Sequence, residues 1–265
     1  MSTNRDQIDN TTRSNLHNSR GIKLADRGWL DEAINEFKNA ISVAPHLAQA
    51  YDNLGTVYAD KGDLLAALTS YTQALSLEPN NSCALHNLGC FISNHANQLA
   101  ARCFQNAFKL EPELYESRFN LGLCLAQEEQ HEQALAHFEY ALSQSEQDPE
   151  IRYHLALSLI ELGNNIRAIK ELRHVTHEQD KNDAAWYNLA NCYVQQGFLE
   201  EAEIAYTKAI ALNSQHIDAI LALASLLKSL KRNKESKLLV KRALRLDKKY
   251  TESVIAHDEY LNLGK

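Results

Sequence analysis

Tyr51-Asp-Asn-Leu-Gly-Thr-Val-Tyr58, continued by Ala67, Tyr71, Ala74 and Pro79, is one unit of a pattern that returns along nearly the whole chain. Its small residue Gly55 has counterparts at Gly21, Gly89, Gly122, Ala156, Ala190 and Ala224, at intervals of 34 residues with a single interval of 33. A second small series runs Ala33, Ala67, Ala100, Ala134, Ala168, Ala202 and Ser236, and a third Ala40, Ala74, Ala107, Ala141, Val175, Ala209 and Ala243. Between these two series lie Phe37, Tyr71, Phe104, Phe138, Leu172, Tyr206 and Val240. A period of this length marks stacked copies of one supersecondary unit. Each unit reads as two amphipathic helices, because residues such as Tyr51, Leu54 and Tyr58 fall on one helical face. The small residues let neighbouring helix axes approach, and the large ones fill the gaps. Gly28, Gly62, Gly163 and Gly197 stand between the two helices of their units, where a left-handed residue can end the first helix. Pro45, Pro79 and Pro112 stop the second.

This pattern resembles the tetratricopeptide repeat over residues 14–250. The resemblance implies an all-α fold, a right-handed α-solenoid (superhelix) of antiparallel helix pairs with a concave groove. Seven repeats are expected at 14–47, 48–81, 82–114, 115–148, 149–182, 183–216 and 217–250. A flexible N-terminal segment, 1–13, precedes them, and a C-terminal capping helix, 251–265, follows, with Val254 and Leu261 on one face and Asp258 and Glu259 on another. Two departures carry expectations of their own. Repeat three is one residue short between Gly89 and Ala100 and has no turn glycine near Ala96, so its inter-helix turn should be tight or distorted. Repeat one carries His17 and Arg20 where the family is apolar, as fits an outermost helix.

Composition agrees with a core-forming, helix-favouring chain: 265 residues, 45% hydrophobic and 23% charged. A net charge of −7 speaks against a nucleic-acid binder as a whole. No run of about 18 apolar residues is present, the polar stretch Met1 to Arg13 lacks the apolar core of a secretory signal, and five scattered cysteines fit a reducing compartment. A cytoplasmic location is therefore expected. Charge is unevenly placed: residues 228–265 hold 11 Lys/Arg against 5 Asp/Glu, and residues 1–227 hold 16 against 29. The basic block, including Lys237, Lys241 and Arg245, lies on the second helix of repeat seven. It reads as a solvated helix, or as a surface for nucleic acid, an anionic membrane or the acidic part of another copy. Tyr250 is the one aromatic residue interleaved with it, which argues against stacking on single-stranded nucleic acid.

In the family that the pattern resembles, the first helix of each repeat lines the groove and the partners are usually peptides. The sixth position of that helix holds Ser19, Asn53, Asn87, Asn120, His154, Asn188 and Ala222. Asn offers a donor and an acceptor, suited to a peptide main chain, and the row resembles the groove of the O-linked N-acetylglucosamine transferases. Asn is also simply common at this position of the repeat. The fifth position holds Asn18, Asp52, His86, Phe119, Tyr153, Tyr187 and Leu221, and the aromatic residues Phe119 to Tyr187 in its middle read as recognition rings or as wedges between helices. The groove positions carry Asp52, Glu116, Glu150 and Asp218 rather than the cations that grip chaperone C-termini in part of the family, so a neutral or basic peptide is the expected partner.

Catalytic and metal chemistry finds little support. Cys83, His86 and Cys90 share one helix, but residues seven apart are separated by roughly 10.5 Å along its axis, too far for two short Cys side chains to meet one zinc ion at about 2.3 Å. His174 and His177 stand near a helix C-terminus, where they ease its dipole. No phosphate loop or hydrolase motif occurs. The expected function is a non-enzymatic scaffold or adaptor that binds an extended peptide, with no cofactor and no small-molecule substrate. The alternative is self-association through acidic N-terminal repeats and the basic repeat seven.

Overall fold

The 34-residue period becomes helix pairs because each second helix starts after a short turn and packs its small residues against the first. The computed structural model describes residues 2–257, with side chains from 10 to 255. Leu261, Asp258 and Glu259 lie outside the described residues. Fifteen helices and no strand occur among the described residues. Residues 1–128 form one unit with α1 (Ser2–Ala25), α2 (Leu30–Val43), α3 (Ala48–Asp60), α4 (Leu64–Leu77), α5 (Ser82–Ile92), α6 (Asn97–Leu110) and α7 (Tyr115–Gln127). Residues 129–265 form a second with α8 (His131–Gln144), α9 (Pro149–Glu161), α10 (Asn165–Glu178), α11 (Asp183–Gln196), α12 (Leu199–Leu212), α13 (Ile217–Ser229), α14 (Asn233–Leu246) and α15 (Lys248–His257). Within each unit, consecutive helices pack antiparallel in chain order, the helix-pair arrangement of an α-solenoid. Residues 2–13, expected as a flexible lead, are part of α1.

The repeated small residues are the closest contacts. Ala33, Ala67, Ala100, Ala134, Ala168 and Ala202 are fully buried, and so are Ala40, Ala74, Ala107, Ala141, Val175, Ala209 and Ala243. A methyl group on Gly21, Gly55 or Gly89 would lie 2.5, 2.8 or 2.7 Å from the ring of Phe37, Tyr71 or Phe104. These three rings therefore sit directly on a helix backbone. Burying such a ring contributes about 1.5–3 kcal/mol. Where the ring is a tyrosine its hydroxyl stays paired: Tyr71 Oη donates to Thr56 Oγ1 at 3.2 Å, and Tyr206 Oη to Asn191 Oδ1 at 2.6 Å.

Turns and stops follow the same register. Gly28, Gly62, Gly163 and Gly197 have φ of 77°, 78°, 72° and 78°. Glu129 and Lys231, one period from Gly163 and Gly197, take the same left-handed conformation without glycine, at φ 60° and 64°. The short repeat three loses its residue from the end of α5, which has 11 residues against 13 in α3. His95 N–H and Ala96 N–H both donate to the Ile92 carbonyl there, at 3.0 and 2.8 Å, so the turn closes without a left-handed residue. The prolines stand just beyond α2, α4 and α6, whose last turns are closed by Ala44, Glu78 and Glu111 N–H donating to the carbonyls of Ala40, Ala74 and Ala107.

Ends are handled by polar contacts. His17 Nδ1 on α1 meets Glu36 Oε2 of α2 at 2.7 Å, which gives this polar departure from the family pattern a partner. At the other end, Tyr250 Oη of α15 donates to Asp218 Oδ1 of α13 at 2.6 Å, while Thr251 is fully buried with its hydroxyl unpaired.

Two substitutions test this packing in opposite directions. Gly55→Ala should lower the midpoint of urea unfolding, because forcing a methyl into a filled site costs about 1–3 kcal/mol. Lys231→Gly should raise it, since a non-glycine residue in the left-handed region costs roughly 1 kcal/mol. A Gly55→Ala protein as stable as the parent would mean that the Tyr71 ring can move aside freely.

Candidate peptide-binding surface

The sixth-position asparagines lie half-buried on the first helices, and their amide hydrogens point back along the stack. Within residues 1–128, Asn53 Nδ2 donates to Asn18 Oδ1 at 3.0 Å, and Asn87 Nδ2 to Asp52 Oδ2 at 2.9 Å. Asn120 Nδ2 reaches only Cys90 Sγ, at 3.5 Å. Within residues 129–265, Asn188 Nδ2 donates to Tyr153 Oη at 3.1 Å. Three of these bonds join the sixth position of one repeat to the fifth position of the preceding one, 35 residues back. The rows expected to act separately are thus one set of inter-repeat ties. Each tie uses one of the two amide N–H groups, so the amide oxygen, an acceptor, is not the atom that makes the tie. The regular spacing of 35 between polar residues is the sequence signal for this pairing.

The aromatic fifth positions are built into the same packing. The Tyr153 ring meets His154 edge-on at 5.6 Å, and His154 lies 6.2 Å from Phe138. Tyr187 lies 6.1 Å from Tyr206 and 4.9 Å from His216. Tyr153, His154, Tyr187 and Phe119 are all half-buried. Burial pulls the pKa of His154 down, opposed by Glu150, and that of His86 down, opposed by Glu116.

The four acidic groove positions divide into two kinds. Asp52 is 5% exposed, and Asp218 is engaged by Tyr250. Glu116 and Glu150 are exposed. Desolvation pushes the Asp52 carboxyl up to about 6, although the bond from Asn87 works the other way. Its second oxygen, Oδ1, is buried without a hydrogen-bond partner. His86 Nδ1 lies 2.7 Å from Ser117 Oγ, and its Nε2 3.4 Å from Cys90 Sγ, so both ring nitrogens of the Cys83, His86 and Cys90 trio are already engaged. Among the described residues no group of three or more His, Cys, Asp or Glu is placed to hold a metal ion.

Helix pairs stacked through small residues, with polar ties between equivalent positions of successive first helices, define a helical-repeat protein. The chain belongs to the tetratricopeptide repeat family: four profiles of that description match residues 48–81 and 183–216, 94–149, 125–181, and 217–250. Proteins of this family generally mediate protein–protein interaction. A search of curated protein sequences gives no match. Among solved structures, Pseudomonas aeruginosa PilF superposes with a TM-score of 0.71 at 20% identity, over 78% of this chain and 94% of its own. YrrB, described as a tetratricopeptide repeat protein with an unusual peptide-binding site, gives 0.64 at 26% identity over 70% and 96%. A tetratricopeptide repeat protein from Parabacteroides merdae gives 0.63 at 20% identity over 91% and 97%.

The raised Asp52 pKa has a definite sign. The folded chain holds this proton up to about pH 6, whereas the unfolded chain releases it near 3.8. The contribution of protonated Asp52 is complete below the unfolded value and is lost as pH rises from about 4 to 6. At about 1.4 kcal/mol per unit, the loss amounts to roughly 2–3 kcal/mol. Asp52→Asn keeps the shape and an acceptor for Asn87 without the charge. Unfolding free energies measured between pH 4 and 7 should therefore fall more steeply for the parent than for this variant. Parallel curves would show that Asp52 does not titrate in this range.

Proposed function

We propose that the chain is a non-catalytic, cytoplasmic scaffold that holds an extended peptide of a partner protein along the first-helix face of its repeats. The observation carrying this reading is the set of asparagines whose donors are fixed by the preceding repeat, leaving their oxygens at one register of the first helices. Such oxygens accept main-chain N–H groups of an extended peptide without reading its sequence. Asn53, Asn87 and Asn120 would serve in residues 1–128, and Asn188 with His154 in residues 129–265. Phe119, Tyr153 and Tyr187 would cover apolar side chains of the peptide. Exposed Glu116 and Glu150 favour a neutral or basic sequence. The peptide-binding site of YrrB, on a repeat array of similar fold, supports the same class of ligand. No helix among the described residues is long and apolar enough to cross a membrane.

Asn120 separates binding from folding, because its only polar contact, to Cys90 Sγ, is long. A peptide selected from a display library on the purified chain should bind Asn120→Ala less tightly, by less than tenfold. One hydrogen bond contributes about 0.5–1.5 kcal/mol net, and about 1.4 kcal/mol is one decade in Kd. The melting temperature should barely move. Calorimetric titration giving equal affinities for parent and variant, with the fold intact, would remove Asn120 from the binding surface; equal affinities for Glu116→Lys as well would remove this face.

A further inference from the structure

Repeat seven carries a feature that the groove does not use. A cavity of about 250 Å³ is lined by Val240 of α14 and Ile255 of α15, with Lys228, Lys237 and Lys241 around it. None of these three lysines forms an ion pair among the described residues. Long lysine side chains lay apolar stems along such a cavity and keep their charges at its edge. The surface is therefore apolar inside and cationic at the rim.

A surface of the opposite kind lies at the α3–α4 turn. Leu65 is 77% exposed, the most exposed large hydrophobic residue among those described, with Leu64 at 57% and Leu68 at 41% on the same helix. Spacings of three and four residues put Leu64, Leu65 and Leu68 on one face of α4. Exposed Asp60 and Asp63 flank the leucines, and the nearby cation, Lys61, is held by Asp31. Aliphatic side chains framed by unneutralised carboxylates meet what the lysine-rimmed cavity requires. The charge division of the whole chain, acidic up to residue 227 and basic after it, points the same way.

We propose that the cavity of repeat seven receives Leu64 and Leu65 of a second copy of this chain, with Lys237 and Lys241 facing Asp60 and Asp63. The contact joins two different surfaces, so it is heterologous: in a pair of copies, one knob and one cavity stay free. Assembly then proceeds to chains of copies unless the rotation closes them into a ring. Its charged rim makes it weaker as salt screens the lysines. None of the residues involved belongs to the asparagine and aromatic rows, so the inference stands or falls independently of the peptide surface.

Sedimentation velocity on the full chain tests it, over a range of protein concentrations at low and high salt. The parent should show species larger than a monomer that grow with concentration and recede with salt. Leu65→Asp, which spoils the knob, and the double variant Lys237→Glu with Lys241→Glu, which spoils the rim, should each remain monomeric. Both alter surface side chains, and unchanged circular dichroism would confirm their folds. Mixed in equal amounts, the two variants retain one good knob and one good cavity, and should form a dimer that grows no further. A parent that stays monomeric throughout, or variants that assemble as it does, would overturn the proposal. So would variants that block assembly singly yet form no dimer when mixed. A monomeric parent that instead sediments with phosphatidylserine vesicles, in a manner lost with the lysine variant, would assign the cavity to a membrane and overturn it as well.

Discussion

One contact recurs in this chain and the rest of the structure depends on it: a large side chain of the second helix resting on a small residue of the first. At Gly21, Gly55 and Gly89 the contact is so close that a single methyl would overlap the ring. The separation of the two helices is set there by the thickness of a ring against bare backbone. Once that separation is fixed, the alanine series falls where it is fully buried, and the axial spacing of successive pairs follows. Repeat five shows one compensation for a larger small residue, whereas repeat six keeps the ring of Tyr206 with Ala190. Ala156 faces a repeat whose large residue is Leu172, and both are fully buried. A close-packed interior permits such paired changes more readily than either change alone.

A stack of this kind leaves two exposed faces, and the first and last helices resolve them differently from the middle. On α1, the half-buried His17 is turned toward α2 and given a carboxylate partner there. In the last repeat, α15 covers the stack with a buried Thr251 and ties itself to α13 through Tyr250 and Asp218. The same bond occupies one oxygen of the half-buried Asp218, while Glu150 is the exposed acid of the pair in residues 129–265.

The helix pairs, their turns and their stops are legible in the sequence because several independent signals share one register. The glycine at 62, the proline at 79 and the alanines at 67 and 74 each indicate the same boundaries. The left-handed conformation of Glu129 and Lys231 is not legible, since neither residue type signals it, although both stand one period from a turn glycine. Asp52 passes for a groove acid in the sequence because its place on α3 looks outward when that helix is considered alone. Only the neighbouring helix carrying Asn87 covers it. Side-chain ties between repeats depend on how two helices stand against each other, which a single-helix pattern does not contain. The asparagine register is legible, while the direction of its amide hydrogens is not.

That direction matters for how such a surface would hold a ligand. An asparagine free to rotate loses side-chain freedom when it binds, and much of the gain from its hydrogen bond is lost with it. Here one amide N–H of Asn53, Asn87 and Asn188 is already bonded to the preceding repeat, so the side-chain amide is held in place before any ligand arrives. The same bonds couple binding to the stack. A ligand that draws on the oxygen of Asn87 polarises the amide whose hydrogen serves Asp52, and hydrogen bonds in such a chain strengthen one another. Asp52, buried with one oxygen unsatisfied, is the member that gains most from a stronger donor. Peptide binding at Asn87 in the proposed mode would therefore tighten the joint between the second and third repeats, and an array that is held together only by neighbour contacts would register that tightening as stability.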